Sequence, residues 1–197
     1  MSPDWQEKSA QEEFVLSLLD NKKEGYYVEL GAFHSKNGSN TYRLENEFDW
    51  KGVSFEIVPE FHKEVSENRK NPCILGDATQ FNYINYFEEN NFPKQIDYLQ
   101  VDIDGGYDPK GYTVGNPYLS LHGLLAVPLN QYRFTVITFE HDANLVLNNI
   151  AMRDAQRQIL DSLGYALVVR DFHEDWWVDR SAIGYTDYRQ HFKWNTM

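Results

Sequence analysis

Short β-branched and aromatic runs alternate with stretches whose apolar positions recur at helical spacing, and this alternation constrains the fold more than any other feature. Strands joined through helices run parallel, and a mainly parallel sheet has to be covered on both faces. Phe14, Val15, Leu18 and Leu19 give residues 11–19 the pattern of an amphipathic helix. Further helices are predicted at 39–48, 60–69, 83–90, 119–126 and 145–163, the last closed by Gly164. Strands are predicted at 26–30, 53–58, 73–75, 96–103, 134–139, 166–170 and 176–178, the final one as an arm of a hairpin. Residues 105–117, rich in Gly, Pro and Asp, read as a loop. The expected architecture is α/β: one mostly parallel sheet with helices on both faces.

A chain of 197 residues suits a single domain, with an N-terminal helix at about 9–20, a core at about 25–179 and a tail at about 180–197. Cys73 is the only cysteine, so neither an intrachain disulfide nor a thiolate zinc site can form. Residues 1–20 are polar, and no stretch approaches the roughly 18 apolar residues of a membrane span. A soluble protein of the cytoplasm, with no membrane partner, is the expectation. The net charge of -12 and the scattered basic residues disfavour nucleic acid as a partner, because phosphates need clustered Lys and Arg. Thirteen Tyr and five Trp offer more ring surface than a core requires, enough to line a cleft.

In parallel sheets ligands bind outside the carboxyl ends of the strands, so function is sought there. After the first strand come Glu29, Leu30, Gly31 and Ala32. Gly31 lets a ligand approach the backbone, but the second and third glycines of a dinucleotide-binding turn are missing. An acidic residue before the glycine suits a ligand carrying an amine and a sulfonium better than one carrying phosphates, which points to S-adenosylmethionine. Glu56, ending the second strand, is placed to accept hydrogen bonds from ribose hydroxyls. Asp77, after the third, could accept from an adenine amino group or cap the next helix. Asp102 and Asp104 end the fourth strand, and Glu140, His141 and Asp142 end the fifth.

These segments, in this order, carry a resemblance. Residues 11–178 are similar to the FkbM-type S-adenosylmethionine methyltransferases. The matching pieces are Gly25 through Ala32, Ser39-Asn40-Thr41-Tyr42-Arg43-Leu44-Glu45, Trp50-Lys51-Gly52, Leu99-Gln100-Val101-Asp102, Tyr132 through Asp142 and Glu174-Asp175-Trp176-Trp177-Val178. The resemblance implies the seven-stranded Rossmann-like methyltransferase fold and O-methylation of a sugar, glycan or similar small acceptor. It implies that Glu29, Gly31, Ala32, Ser39, Asn40, Glu56, Asp77 and Asp102 hold the cofactor. Asp102, Asp104, Glu140 and His141 would then face the acceptor. Asp104-Gly105-Gly106 and the long loop after it depart from the family pattern. The acidic, Asn- and Tyr-rich composition resembles methyltransferases of glycan synthesis, viral ones among them, which would work in the cytoplasm of an infected host cell.

An alcohol is a poor nucleophile at neutral pH and needs a base or a metal. His141, Asp104 and Asp102 are the candidate catalytic groups, and Asp104, Glu140 and His141 the candidate ligands for Mg2+ or Mn2+. Adjacent strand ends should bring Asp104 and His141 together. His34, His62, His122, His173 and His191 read as surface or structural histidines. Two other readings stand beside this one: a sugar-nucleotide oxidoreductase of related fold, and a non-catalytic carbohydrate-binding domain that uses the aromatic excess for stacking.

Overall fold

The computed structural model describes residues 10–104, 116, 118–143 and 149–182. Its elements are, in order, α1 (Ala10–Leu18), β1 (Tyr26–Leu30), α2 (Tyr42–Phe48), β2 (Lys51–Glu56), α3 (Pro59–Asn68), β3 (Cys73–Leu75) and α4 (Tyr83–Glu89). There follow β4 (Gln95–Val101), α5 (Leu119–Ala126), β5 (Arg133–Glu140), α6 (Asn149–Ser162), β6 (Tyr165–Arg170) and β7 (Glu174–Asp179). The seven strands form one sheet in the order β3-β2-β1-β4-β5-β7-β6. Every neighbouring pair is parallel except β5–β7 and β6–β7, so β7 alone runs against the rest.

Alternation along each strand divides the core. Tyr27, Tyr98, Val136, Trp176 and Val178 pack on one face with Phe14 and Val15 of α1 and Leu44 of α2. Val28, Leu30, Leu99, Val101, Ile137 and Trp177 pack on the other, with Phe87 of α4, Leu124 of α5 and Leu160 of α6. The central strands are buried on both faces, which accounts for their near-continuous apolar runs.

The expected and observed elements differ mainly at boundaries. Helix α2 begins at Tyr42 rather than 39, because the Ser39 hydroxyl accepts the N–H groups of Thr41 (3.3 Å) and Tyr42 (3.1 Å) and holds 39–41 in a turn. Strand β2 starts at Lys51, in register with Tyr26 of β1, and stops at Glu56, whose carboxylate accepts the Val58 N–H at 2.8 Å. A 3-10 turn over Ala78–Gln80 has no counterpart among the expected elements. Of the expected helix at 145–163, residues 145–148 lie outside the described residues, as do residues 105–115 and 117 of the loop and residues 183–197 of the tail. No helix among the described residues is long and apolar enough to cross a membrane.

Candidate active site

Strand β1 ends on Gly31, at φ +91°, where a Cβ would lie 1.8 Å from the Asp102 carbonyl oxygen. Only glycine allows β1 and β4 to meet this closely; the Asp102 N–H donates to the Leu30 carbonyl at 2.9 Å. The N–H groups of Gly31 and Ala32 both donate to the Phe55 carbonyl, and Phe33 follows at φ +50°. The chain then turns so that the Phe33 N–H donates to Glu56 at 2.9 Å, while Val58 takes the other carboxylate oxygen. Each oxygen keeps acceptor capacity after one such bond. Apolar surface surrounds this anchored carboxylate: Phe33, Ile57 and Leu75 are 54%, 62% and 50% exposed. Asp77, beyond β3, is exposed and caps the 3-10 turn through Thr79, whose N–H and hydroxyl donate to it at 2.8 and 2.7 Å.

Glu29 is elsewhere. Its side chain lies on the opposite face of β1 from Leu30, buried, accepting from the Ser54 hydroxyl at 2.6 Å, with the Arg69 guanidinium 3.9 Å away. Burial pushes its carboxyl up and the Arg69 charge opposes that rise. Arg69, just past α3, also donates to Glu45 (3.0 Å), Ser39 (3.1 Å), Thr41 (2.8 Å) and Tyr27 (3.1 Å). Glu29 and Ser39, expected at the cofactor, thus belong to a buried scaffold beneath the turn that carries the half-buried Asn40. Cofactor contact through these two side chains is not what the geometry offers.

At the far side of the sheet end, Asp102 and Glu140 share a hydrogen bond, and burial raises both carboxyls. The Asp104 charge raises Asp102 further, and the Asp102 charge does the same to Glu140. Glu174, opposite Glu140 in the β5–β7 ladder, accepts from Gln11 at 2.5 Å and is pushed up to about 7, mainly by burial. Asp104 is exposed at the rim.

His141 does not join them. Its imidazole is 2% exposed, Nδ1 accepts the Ala143 N–H at 3.1 Å, and Nε2 lies 3.7 Å from Asp175, itself held by Arg157 and Gln156 of α6. Glu140, the last residue of β5, pairs with Glu174, which Gln11 of α1 meets, while His141, just past the strand, lies beside Asp175, which α6 holds. The expected ligand set of Asp104, Glu140 and His141 therefore does not fit one ion, and no group of three or more His, Cys, Asp or Glu among the described residues could hold a metal. His141 is buried and held apart from Asp104 and Glu140. A histidine beside the end of β5 that is half exposed is His173, in the β6–β7 turn, with Nδ1 2.9 Å from Asp142. In the sequence it reads as one surface histidine among several. The signal that singles it out is a short polar turn, Asp171 to His173, between two strands that pair.

This arrangement, a seven-stranded mixed sheet with β7 reversed, recurs among solved structures. The SAH-bound methyltransferase PaMTH1 of Podospora anserina matches with a TM-score of 0.56 at 11% identity, over 89% of this chain and 81% of that one. A human methyltransferase 10 domain containing protein matches at 0.54 and 9% identity, over 90% and 83%. The O-methyltransferase of Bacillus cereus in complex with SAH matches at 0.51 and 15% identity, over 89% and 82%. No family model matches the chain, and no curated protein matches it in sequence. At such identities the likeness is one of fold. The chain has the Rossmann-like fold of S-adenosylmethionine-dependent methyltransferases.

Proposed function

We propose that this chain is an S-adenosylmethionine-dependent O-methyltransferase of the FkbM type, acting on a hydroxyl of a sugar, glycan or similar small acceptor. The observation that carries the reading is Glu56: a carboxylate fixed by two backbone N–H groups at the β1–β2 end, among exposed apolar side chains. A nucleoside asks for that combination, an acceptor for its ribose hydroxyls beside an apolar face for its base. Support also comes from two structures of this fold that carry SAH, one of them an O-methyltransferase. The net charge of -12 favours a small neutral acceptor over a nucleic acid.

In this reading Glu56 holds the ribose, Ile57 and Leu75 flank the base, and Gly31 with Ala32 gives the backbone close approach. S-adenosylmethionine supplies a methyl group already activated as a sulfonium, so the protein's work is positioning and proton removal. Burial raises the carboxyls of Asp102 and Glu140 at the same sheet end, which favours their protonated forms there.

S-adenosylhomocysteine (SAH) binding, measured by calorimetry, tests the assignment. Glu56→Ala should weaken it tenfold or more, about 1.4 kcal/mol, through loss of a charge-assisted acceptor. Glu29→Ala, run alongside, should act on stability instead. If the native protein binds no SAH, the methyltransferase reading fails, and an oxidoreductase or a carbohydrate-binding domain takes its place.

A further inference from the structure

We infer that Asp142 and His173 form a carboxylate–imidazole dyad whose Nε2 takes the proton from the acceptor hydroxyl, His173 being the catalytic residue and Asp142 a positioning residue. This rests on the methyl-transfer reading above.

The geometry begins with the turn between β6 and β7. The Asp171 N–H donates to the Glu174 carbonyl at 2.9 Å, which leaves Phe172 and His173 at the tip. Glu174 pairs with Glu140, so the tip lies at the same sheet end as Asp102 and Glu140. The His173 carbonyl accepts the N–H groups of His141 (2.7 Å) and Asp142 (2.9 Å), pinning the turn to the end of β5 through main chain alone. Asp142 is in the left-handed region, φ +48°, an uncommon conformation that turns its side chain toward the ring.

An ionised carboxylate only accepts, so Nδ1 of His173, 2.9 Å from Asp142, carries the hydrogen. The neutral ring then keeps its lone pair on Nε2. Asp142 is largely buried and the imidazole half exposed, so the fixed end of the dyad is inside and the basic end faces out. Asp142 above all, then Glu140 and Asp171, favour the charged ring and raise its proton affinity. His141 has no such freedom, because its Nδ1 is committed to a backbone N–H. Phe172, 77% exposed, places an aromatic face beside the base, suited to the C–H face of a pyranose.

The step balances. The hydroxyl proton passes to Nε2 as the oxygen lone pair bonds to the methyl carbon, and the carbon–sulfur pair remains on sulfur. The imidazolium, paired with Asp142, returns the proton to solvent.

Side-chain changes here spare the main-chain pins, and asparagine tolerates the left-handed conformation, so His173→Ala and Asp142→Asn should fold. With a panel of methyl glycopyranosides as acceptors, His173→Ala should lower turnover roughly 10²–10⁴-fold with SAH affinity kept. Added imidazole should restore part of it, which no structural role would allow. Asp142→Asn should cost roughly tenfold or more. Nitrogen-15 NMR supplies a readout independent of turnover: the neutral His173 ring should be the Nδ1–H tautomer and shift toward Nε2–H in Asp142→Asn. Unchanged turnover in His173→Ala, or an Nε2–H ring in the native protein, overturns the dyad while leaving SAH binding intact. Absence of SAH binding overturns the methyl-transfer reading and the base role with it. Native protein that binds SAH but methylates no glycoside removes the sugar acceptor, and the tautomer then decides the dyad alone.

Discussion

Gly31 combines a left-handed backbone with a place where a Cβ would meet the Asp102 carbonyl at 1.8 Å. The contact is backbone against backbone, so no side chain can yield. Gly31→Ala should destabilise the protein by about 2 kcal/mol or more, read as a lower urea midpoint, since the conformational penalty alone is about 1–2 kcal/mol. An unchanged midpoint would mean that β1 and β4 do not meet so tightly. His141 offers a different lesson at this scale. Glu140 ends β5 and His141 follows just past the strand, where it lies beside Asp175 rather than beside Glu140's partners. Closeness along the chain is no guide to closeness at a site once the strand has ended.

Between elements the decisive side chain is Arg69, which ties the end of α3 to β1, to α2 and to the turn before it. It stands beside two buried carboxyl groups, 3.9 Å from Glu29 and 3.0 Å from Glu45. Arg69→Met should cost about 3–5 kcal/mol in urea unfolding, because removing one partner strands the other charges in the interior. Arg69→Lys should recover part of that, keeping the charge but not the planar fork. Equal stability in all three proteins would show that the cluster contributes nothing. Glu29 resembles a cofactor ligand because its distance along the chain from Gly31 is right. What redirects it is a guanidinium from beyond α3, which no local pattern announces.

Across the whole molecule, carboxyls pushed up by burial set the dependence on pH. Glu174 rises from 4.5 to about 7, and Glu29, Asp102 and Glu140 move in the same direction. The folded chain binds these protons more tightly than the unfolded chain, so each contributes stability at low pH that is lost as pH rises; for Glu174 the contribution is present below about pH 4.5 and is lost as pH rises through about 7. Asp175 and Asp179 shift down through Arg157 and Arg133, so their contribution is lost as pH falls below about 4. Urea midpoints should therefore peak near pH 5 and decline toward pH 8, and Glu174→Gln should flatten the decline. A midpoint rising from pH 5 to 8 would contradict these environments.

The succession of strands and helices, the parallel sheet and the gathering of polar groups at strand ends are legible in the sequence, because periodicity and turn residues are local signals. The glycine turn after β1 and the carboxylate ending β2 are legible for the same reason: each depends on residues a few positions apart. Which of those polar groups face the site is decided by tertiary structure. The strand order sets it, by placing Arg69 beside Glu29, Asp102 beside Glu140, and the β6–β7 turn against the end of β5, where His173 meets Asp142. Burial and partner choice come from pairings far apart in the chain, and no window of sequence holds both members.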